Sequence, residues 1–113
     1  MTDIKIHPLS GTWTVRAAGA VIAETQNGLE LIEPGHAPVV YFPRSDIAMA
    51  FLDQTAKTST CPHKGDATYF SIETRNGPIE NAGWSYDTPH DAVSEIAGHI
   101  AFYLHEKITI EEV

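Results

Sequence analysis

The chain is predicted to fold as a mainly β (β-rich α+β) domain: a compact antiparallel sheet or barrel carrying one or two short helices. Three observations predict it. Short segments of alternating or β-branched and aromatic residues recur along the 113 residues. Eight glycines and seven prolines break the chain at intervals suited to short strands. Two Asn-Gly steps, at 27–28 and 76–77, stand where strands would turn back on themselves.

The elements follow in order. "TWTVRA" (12–17) alternates and reads as a strand, and "AVIAET" (20–25) pairs with it across Gly19. "QNG" then turns the chain into "LELIE" (29–33). "PGHAP" stops that run, and "VVYF" (39–42) resumes it. In "PRSDIAMAFL" (43–52) the period changes. Ser45 or Asp46 would cap a short helix that turns Ile47, Ala50 and Phe51 to one face. "ATYFSIE" (67–73) and "IENAGWSYD" (79–87) form a hairpin about the second Asn-Gly turn. "TPHDAVSEIAGHI" (88–100) spaces Val93, Ile96, Ala97 and Ile100 as a helix would, with Thr88 as its cap. "IAFYLH" and "ITIEEV" close the chain as strands. About seven strands and two helices are expected, in one domain spanning residues 1–113.

Composition narrows the function. A formal net charge of −8 repels phosphate backbones and anionic lipid surfaces, so neither nucleic acid nor a membrane is the expected partner. No segment has signal-peptide or membrane-spanning character, and a single cysteine excludes an internal disulfide. A soluble cytoplasmic protein is expected. Nothing in the sequence sets the oligomeric state.

Chemistry concentrates in "TSTCPHKGDATYF" (58–70). Pro62 biases Cys61 towards extended backbone, which would point Cys61 and His63 to one side. A neighbouring cation would favour the thiolate, making Cys61 a candidate nucleophile. Against it stands the ordinary role of a free cysteine as a small buried apolar residue. A metal reading would join Cys61 and His63 to His99 or His105, but two ligands are too few and the others are guesses, so no metal and no cofactor is expected. Gly65 suits a backbone of positive φ before the next strand. Lys64, held in a tight turn, either pairs with Asp46 or Asp66 or offers its ammonium to an anionic ligand, and it is a second candidate for acid, base or Schiff-base chemistry. Arg44 follows "YFP", where its planar fork suits a carboxylate or phosphate, or a salt bridge with Asp46 or a glutamate.

The aromatic residues add a second signal. Trp84 and Tyr86 alternate, so both face one side of their strand, and either Tyr69 or Phe70 on the partner strand faces that side too. Trp84, Tyr86, Tyr69, Lys64 and Arg44 would together wall an apolar pocket with a few convergent polar groups. His90 and Asp91 fall at the start of the second helix, where Asp91 suits the dipole, and His36 reads as a loop residue.

"YFPRSD" (41–46), "TSTCPHKGDATYF" (58–70), "WSYDTP" (84–89) and "IAGHIAFY" (96–103), in this order and spacing, resemble the bacterial domain of unknown function 427 over about residues 7–113. The resemblance implies a compact β-rich domain similar to β-tent folds, some of which bind zinc through paired-cysteine knuckles and some of which hold a ligand in an aromatic cage. The knuckles are absent here. His63 and His99 occupy positions where the family often has an aromatic residue. The nucleotidyltransferase label sometimes attached to the family would require clustered carboxylates beside a Gly-Ser turn. The sequence has no Asp-x-Asp pair, and its Ser10-Gly11 step, near the N-terminus, has no carboxylate pair after it.

Three functions remain in order of preference: a module binding a small planar or anionic molecule, an enzyme using Cys61 or Lys64, and an interaction domain whose exposed edge strand pairs with a partner.

Overall fold

Residues 3–113 are described by the structure, a computed structural model of the chain. Among them, strands are grouped into three antiparallel sheets. In chain order the strands are β1 (Lys5–Pro8), β2 (Trp13–Ala17), β3 (Ala20–Thr25), β4 (Leu29–Ile32), β5 (Val39–Tyr41), β6 (Leu52–Cys61), β7 (Gly65–Thr74), β8 (Gly77–Ser85), β9 (Ile100–Phe102) and β10 (Ile108–Glu112). The first sheet runs β1-β4-β5, the second β10-β2-β3 and the third β6-β7-β8-β9. None of the three closes into a barrel.

Two expected hairpins are present. β2 and β3 pair across Ala18 and Gly19, both at positive φ, which matches the right-handed twist of the flanking strands. β7 and β8 pair across the second Asn-Gly turn, with Thr74 opposite Gly77 and the Thr74 hydroxyl donating to the Gly77 carbonyl. The first Asn-Gly step behaves differently. It sends the chain out of the second sheet and into the first, where β4 pairs with β1 and β5 rather than with β3.

Sequence periodicity missed β1 and β6. "KIHP" is too short and too exposed to show a pattern, and β6, a ten-residue edge strand, buries little beyond Leu52. The two expected helices are instead short 3-10 turns. Arg44–Asp46 and Met49–Phe51 replace the first, without a side-chain cap from Ser45 or Asp46. Phe51 is left 47 % exposed because the chain is already straightening into β6. Asp91–Ile96 replaces the second, interrupted at Val93, with His90 rather than Thr88 at its head. Its Val93 and Ile96 still reach the core, as their spacing requires.

The third sheet supplies both cores. Phe70, Ile72, Ile100 and Phe102 pack with Val15, Ile22 and Ile108 of the second sheet. Tyr69, Ala67 and Ala101 pack with Leu31 and Tyr41 of the first sheet and with Val93 and Ile96. Adjacent residues such as Tyr69 and Phe70 therefore serve opposite faces, as the pleat demands. β5 and β9 are joined at the Phe42–Ile100 bridge, which carries the first sheet onto the edge of the third. The outer margin of the second core is left open beside this seam.

Candidate functional site

The 58–70 segment is a hairpin: β6 runs to Cys61, Pro62–His63–Lys64 turn, and β7 begins at Gly65 opposite Cys61. The turn is fixed by three contacts. The Lys64 amide donates to the Cys61 carbonyl, the Lys64 carbonyl accepts from the His90 amide, and Gly65 adopts a φ of +117° against the Thr88–Pro89 backbone. A side chain at Gly65 would be strained by that φ alone.

Lys64 is thereby aimed at one place. Its Nζ donates to Glu33 Oε1 at 2.7 Å, and the two side chains are only 12 % and 14 % exposed. The expected pairing with Asp46 or Asp66 does not occur: Asp46 accepts from the Thr25 hydroxyl and Asp66 from the Thr60 hydroxyl. The hydrogen bond from Lys64 holds the Glu33 carboxyl below its ordinary value of 4.5 against the opposing effect of burial, helped by the charge of Lys64 and of His36 and His63.

The pair sits in a hollow of about 390 Å³. Glu33, His36 and Ala37 line it from the β4–β5 loop, and Cys61, His63 and Lys64 from the turn. The remaining walls are mostly aromatic. The chain has four tyrosines, Tyr41, Tyr69, Tyr86 and Tyr103, and every one of them lines this hollow together with Trp84. They come from four separate stretches of chain. Tyr41 ends β5, Tyr69 lies in β7 opposite Trp84 in β8, Tyr86 follows β8 and Tyr103 follows β9.

The rings are tied to one another. Trp84 Nε1 donates to Tyr41 Oη at 3.2 Å, and the two rings meet edge to face at 6.4 Å. Tyr103 tilts against Trp84 with centroids 4.4 Å apart. Tyr69 Oη and Ser59 Oγ are 2.8 Å apart, and the ammonium of Lys57 stands 4.6 Å above the Tyr69 ring. Burial pushes the Tyr41 phenol up to about 12 and raises that of Tyr86 as well. Burial and a hydrogen bond with Tyr69 push Tyr103 up to about 12. These three phenols stay protonated at neutral pH, so each remains a donor as well as an acceptor.

Four of the five expected pocket residues, Lys64, Tyr69, Trp84 and Tyr86, thus meet around one hollow. Arg44 does not join them. Its guanidinium lies 5.3 Å over the ring of Phe70, on the other face of the third sheet from Tyr69. Its Nε donates to the Gly98 carbonyl at 2.7 Å and its terminal nitrogen to Asp87 at 2.8 Å and Ser85 Oγ at 3.2 Å. Arg44 therefore fastens the 97–99 loop to the end of β8, and its salt-bridge partner is Asp87 rather than Asp46 or a glutamate.

Cys61 and His63 both line the hollow, and Cys61 is half-buried. His99 is turned elsewhere, its Nδ1 3.1 Å from the Ala97 carbonyl, and His105 Nδ1 accepts from the Lys107 amide. The metal set of Cys61 and His63 with His99 or His105 is therefore not assembled, and among the described residues no group of three or more His, Cys, Asp or Glu side chains could hold a metal ion. Glu33, His36, Tyr41 and Tyr103 line the hollow without having been singled out for it. Tyr41 and Tyr103 carried a signal, since tyrosine is the aromatic that sits between apolar and wet surroundings. Glu33 carried none, because its partner lies 31 residues away across two sheets.

No helix among the described residues is long and apolar enough to cross a membrane. No curated protein matches the chain at a significant level. The family profile labelled NTP_transf_9, and described as a domain of unknown function (DUF427), matches residues 5–113. With nearly the whole chain matched and its four motifs distributed along the walls and supports of one hollow, the protein belongs to the DUF427 family.

Proposed function

We propose that this domain binds a small planar molecule bearing oxygen or nitrogen acceptors, and that the tyrosine-lined hollow is where it binds. One observation carries the reading: all four tyrosines of the chain, with Trp84, converge from four stretches onto one hollow that also contains a partly buried Lys64–Glu33 pair. A core has no use for so many polar tips at one margin. A hollow of about 390 Å³ is in the range that accepts a small organic molecule, roughly 300–1,000 Å³. The rings supply flat apolar walls, and the phenols and the Lys64 ammonium supply directed donors. Because Glu33 already balances Lys64, the site favours neutral or weakly acidic polar groups, and a full anion has to displace the Glu33 carboxylate. In a bacterial cytoplasm, as the family and the lone thiol suggest, Cys61 stays reduced.

Ligand contact is readable at Trp84. The chain has two tryptophans, so Trp13→Phe leaves Trp84 as the sole indole. A panel of nucleobases, nucleotides, benzamides and aromatic acids is screened by thermal shift and by Trp84 emission in that protein. At least one class should raise the melting temperature and change Trp84 emission, and Lys64→Ala should weaken it. A panel with no such compound, or hits that leave Trp84 emission unaltered, overturns the assignment.

A second reading has one observation in its favour: the Cys61 thiol and the Lys64 ammonium line the same hollow. There Cys61 would attack a bound electrophilic carbon while Lys64 protonates the leaving group. A normal, sluggish Cys61 in a pH series of alkylation rates disposes of it.

A further inference from the structure

We propose that the ligand of this hollow is an amphiphile: a planar polar head in the hollow with an apolar tail laid along an adjoining cleft. This rests on the hollow being a binding site. The cleft, about 520 Å³, is lined by Trp13, Phe102, Leu104 and Ile110 among others. It shares four wall residues with the hollow: Ala37, Val39, Trp84 and Tyr103. Ala37 and Val39 belong to the β4–β5 loop and β5, while Trp84 and Tyr103 belong to the third sheet.

The polar groups are divided unevenly along this path. Lys64, Glu33, Cys61 and His63 line the hollow and not the cleft. The cleft has one charged lining side chain, Glu30, which is paired with His7 at 3.0 Å; its most exposed wall residues are Leu104, 86 % exposed, and Tyr103, 43 % exposed, beside a half-buried Ile110. Leaving a leucine that open on a strand-end loop, beside partly exposed indole and phenol rings, costs solubility and gains nothing for the core. A flexible alkyl or isoprenoid-like tail fits it better than a protein partner does. The cleft adjoins the hollow across four shared wall residues, so a molecule whose tail passes Trp84 and Tyr103 would occupy both.

A homologous series separates this idea from the one beneath it. The probes are 4-alkoxybenzamides with methyl, butyl and octyl chains, measured by isothermal titration calorimetry on the whole chain. Each methylene buried in the cleft should tighten binding about three- to fourfold, so octyl, with seven more methylenes than methyl, should exceed it on the order of a thousandfold or more. In Leu104→Asp, a change at an exposed position that spares the fold, the octyl-to-methyl ratio should fall at least tenfold. If the methyl compound binds but the ratio stays near one, or if the ratio is the same in Leu104→Asp, the tail proposal is wrong while the hollow stands. If no member binds, both fall together.

Discussion

Replacing Glu33 by glutamine isolates the electrostatic contribution of the hollow. The change keeps the shape and an acceptor oxygen 2.7 Å from Lys64 Nζ but removes the charge. At an effective dielectric of ~20, unit charges at that distance attract by about 6 kcal/mol. Desolvating both ions, at 12 % and 14 % exposure, takes back most of that. What glutamine forfeits is the excess of a charge-assisted over a neutral hydrogen bond, plus the cost of an uncompensated ammonium, together about 2 kcal/mol. In a chain of this length that corresponds to roughly 6–8 °C in melting temperature. The sign with pH follows from the depressed Glu33 carboxyl. Its stabilisation is fully present above the unfolded value of 4.5 and is lost as pH falls through the lower folded value. Urea unfolding of both proteins at pH 7 and pH 3 is the assay. The gap should be about 2 kcal/mol at pH 7 and should shrink at pH 3. A variant as stable as the parent at pH 7, or a gap that persists unchanged at pH 3, refutes the reasoning.

Other outcomes follow from the same contacts. Arg44→Ala should destabilise by about 2 kcal/mol in urea, through the loss of charge-assisted bonds to Gly98, Ser85 and Asp87, and should leave ligand-induced changes in Trp84 emission intact. Gly83→Ala should cost about 1–3 kcal/mol, because its Cβ would stand 3.1 Å from the Ala101 carbonyl and 3.2 Å from Ile100 and Phe102. Alkylation of Cys61 by iodoacetamide, followed by mass spectrometry, should slow several-fold when the hollow is occupied; an unchanged rate would place the thiol outside the bound molecule's reach. Ultraviolet titration should find the phenols of Tyr41, Tyr86 and Tyr103 ionising well above pH 10 in the folded protein and near 10 in urea.

The sequence alone determined the elements whose physics is local. Gly19 and Asn76-Gly77 set two hairpin turns because positive φ is cheap there, and alternation set Trp84, in β8, and Tyr86, just after it, to one side. The four family motifs likewise lie in one stretch each. β6 stayed hidden because an edge strand exposed on both faces has no apolar period to read. The helices were misjudged because apolar spacing at three and four fits a 3-10 turn as well as an α-turn, and neither segment carries a working cap. Only the tertiary structure decided what converges. β7 and β8 shift register at Phe70–Ile72, where Asn81 takes positive φ, and such an irregularity re-aims the residues beyond it. The Phe42–Ile100 bridge brings Tyr41 beside Trp84, and the fixed turn at 62–64 brings Lys64 to Glu33. The same layering puts Arg44 behind Phe70, on the far side of the sheet. Periodicity assigns a residue to a face of its own strand, whereas the meeting of faces from distant strands is settled by packing over the whole chain.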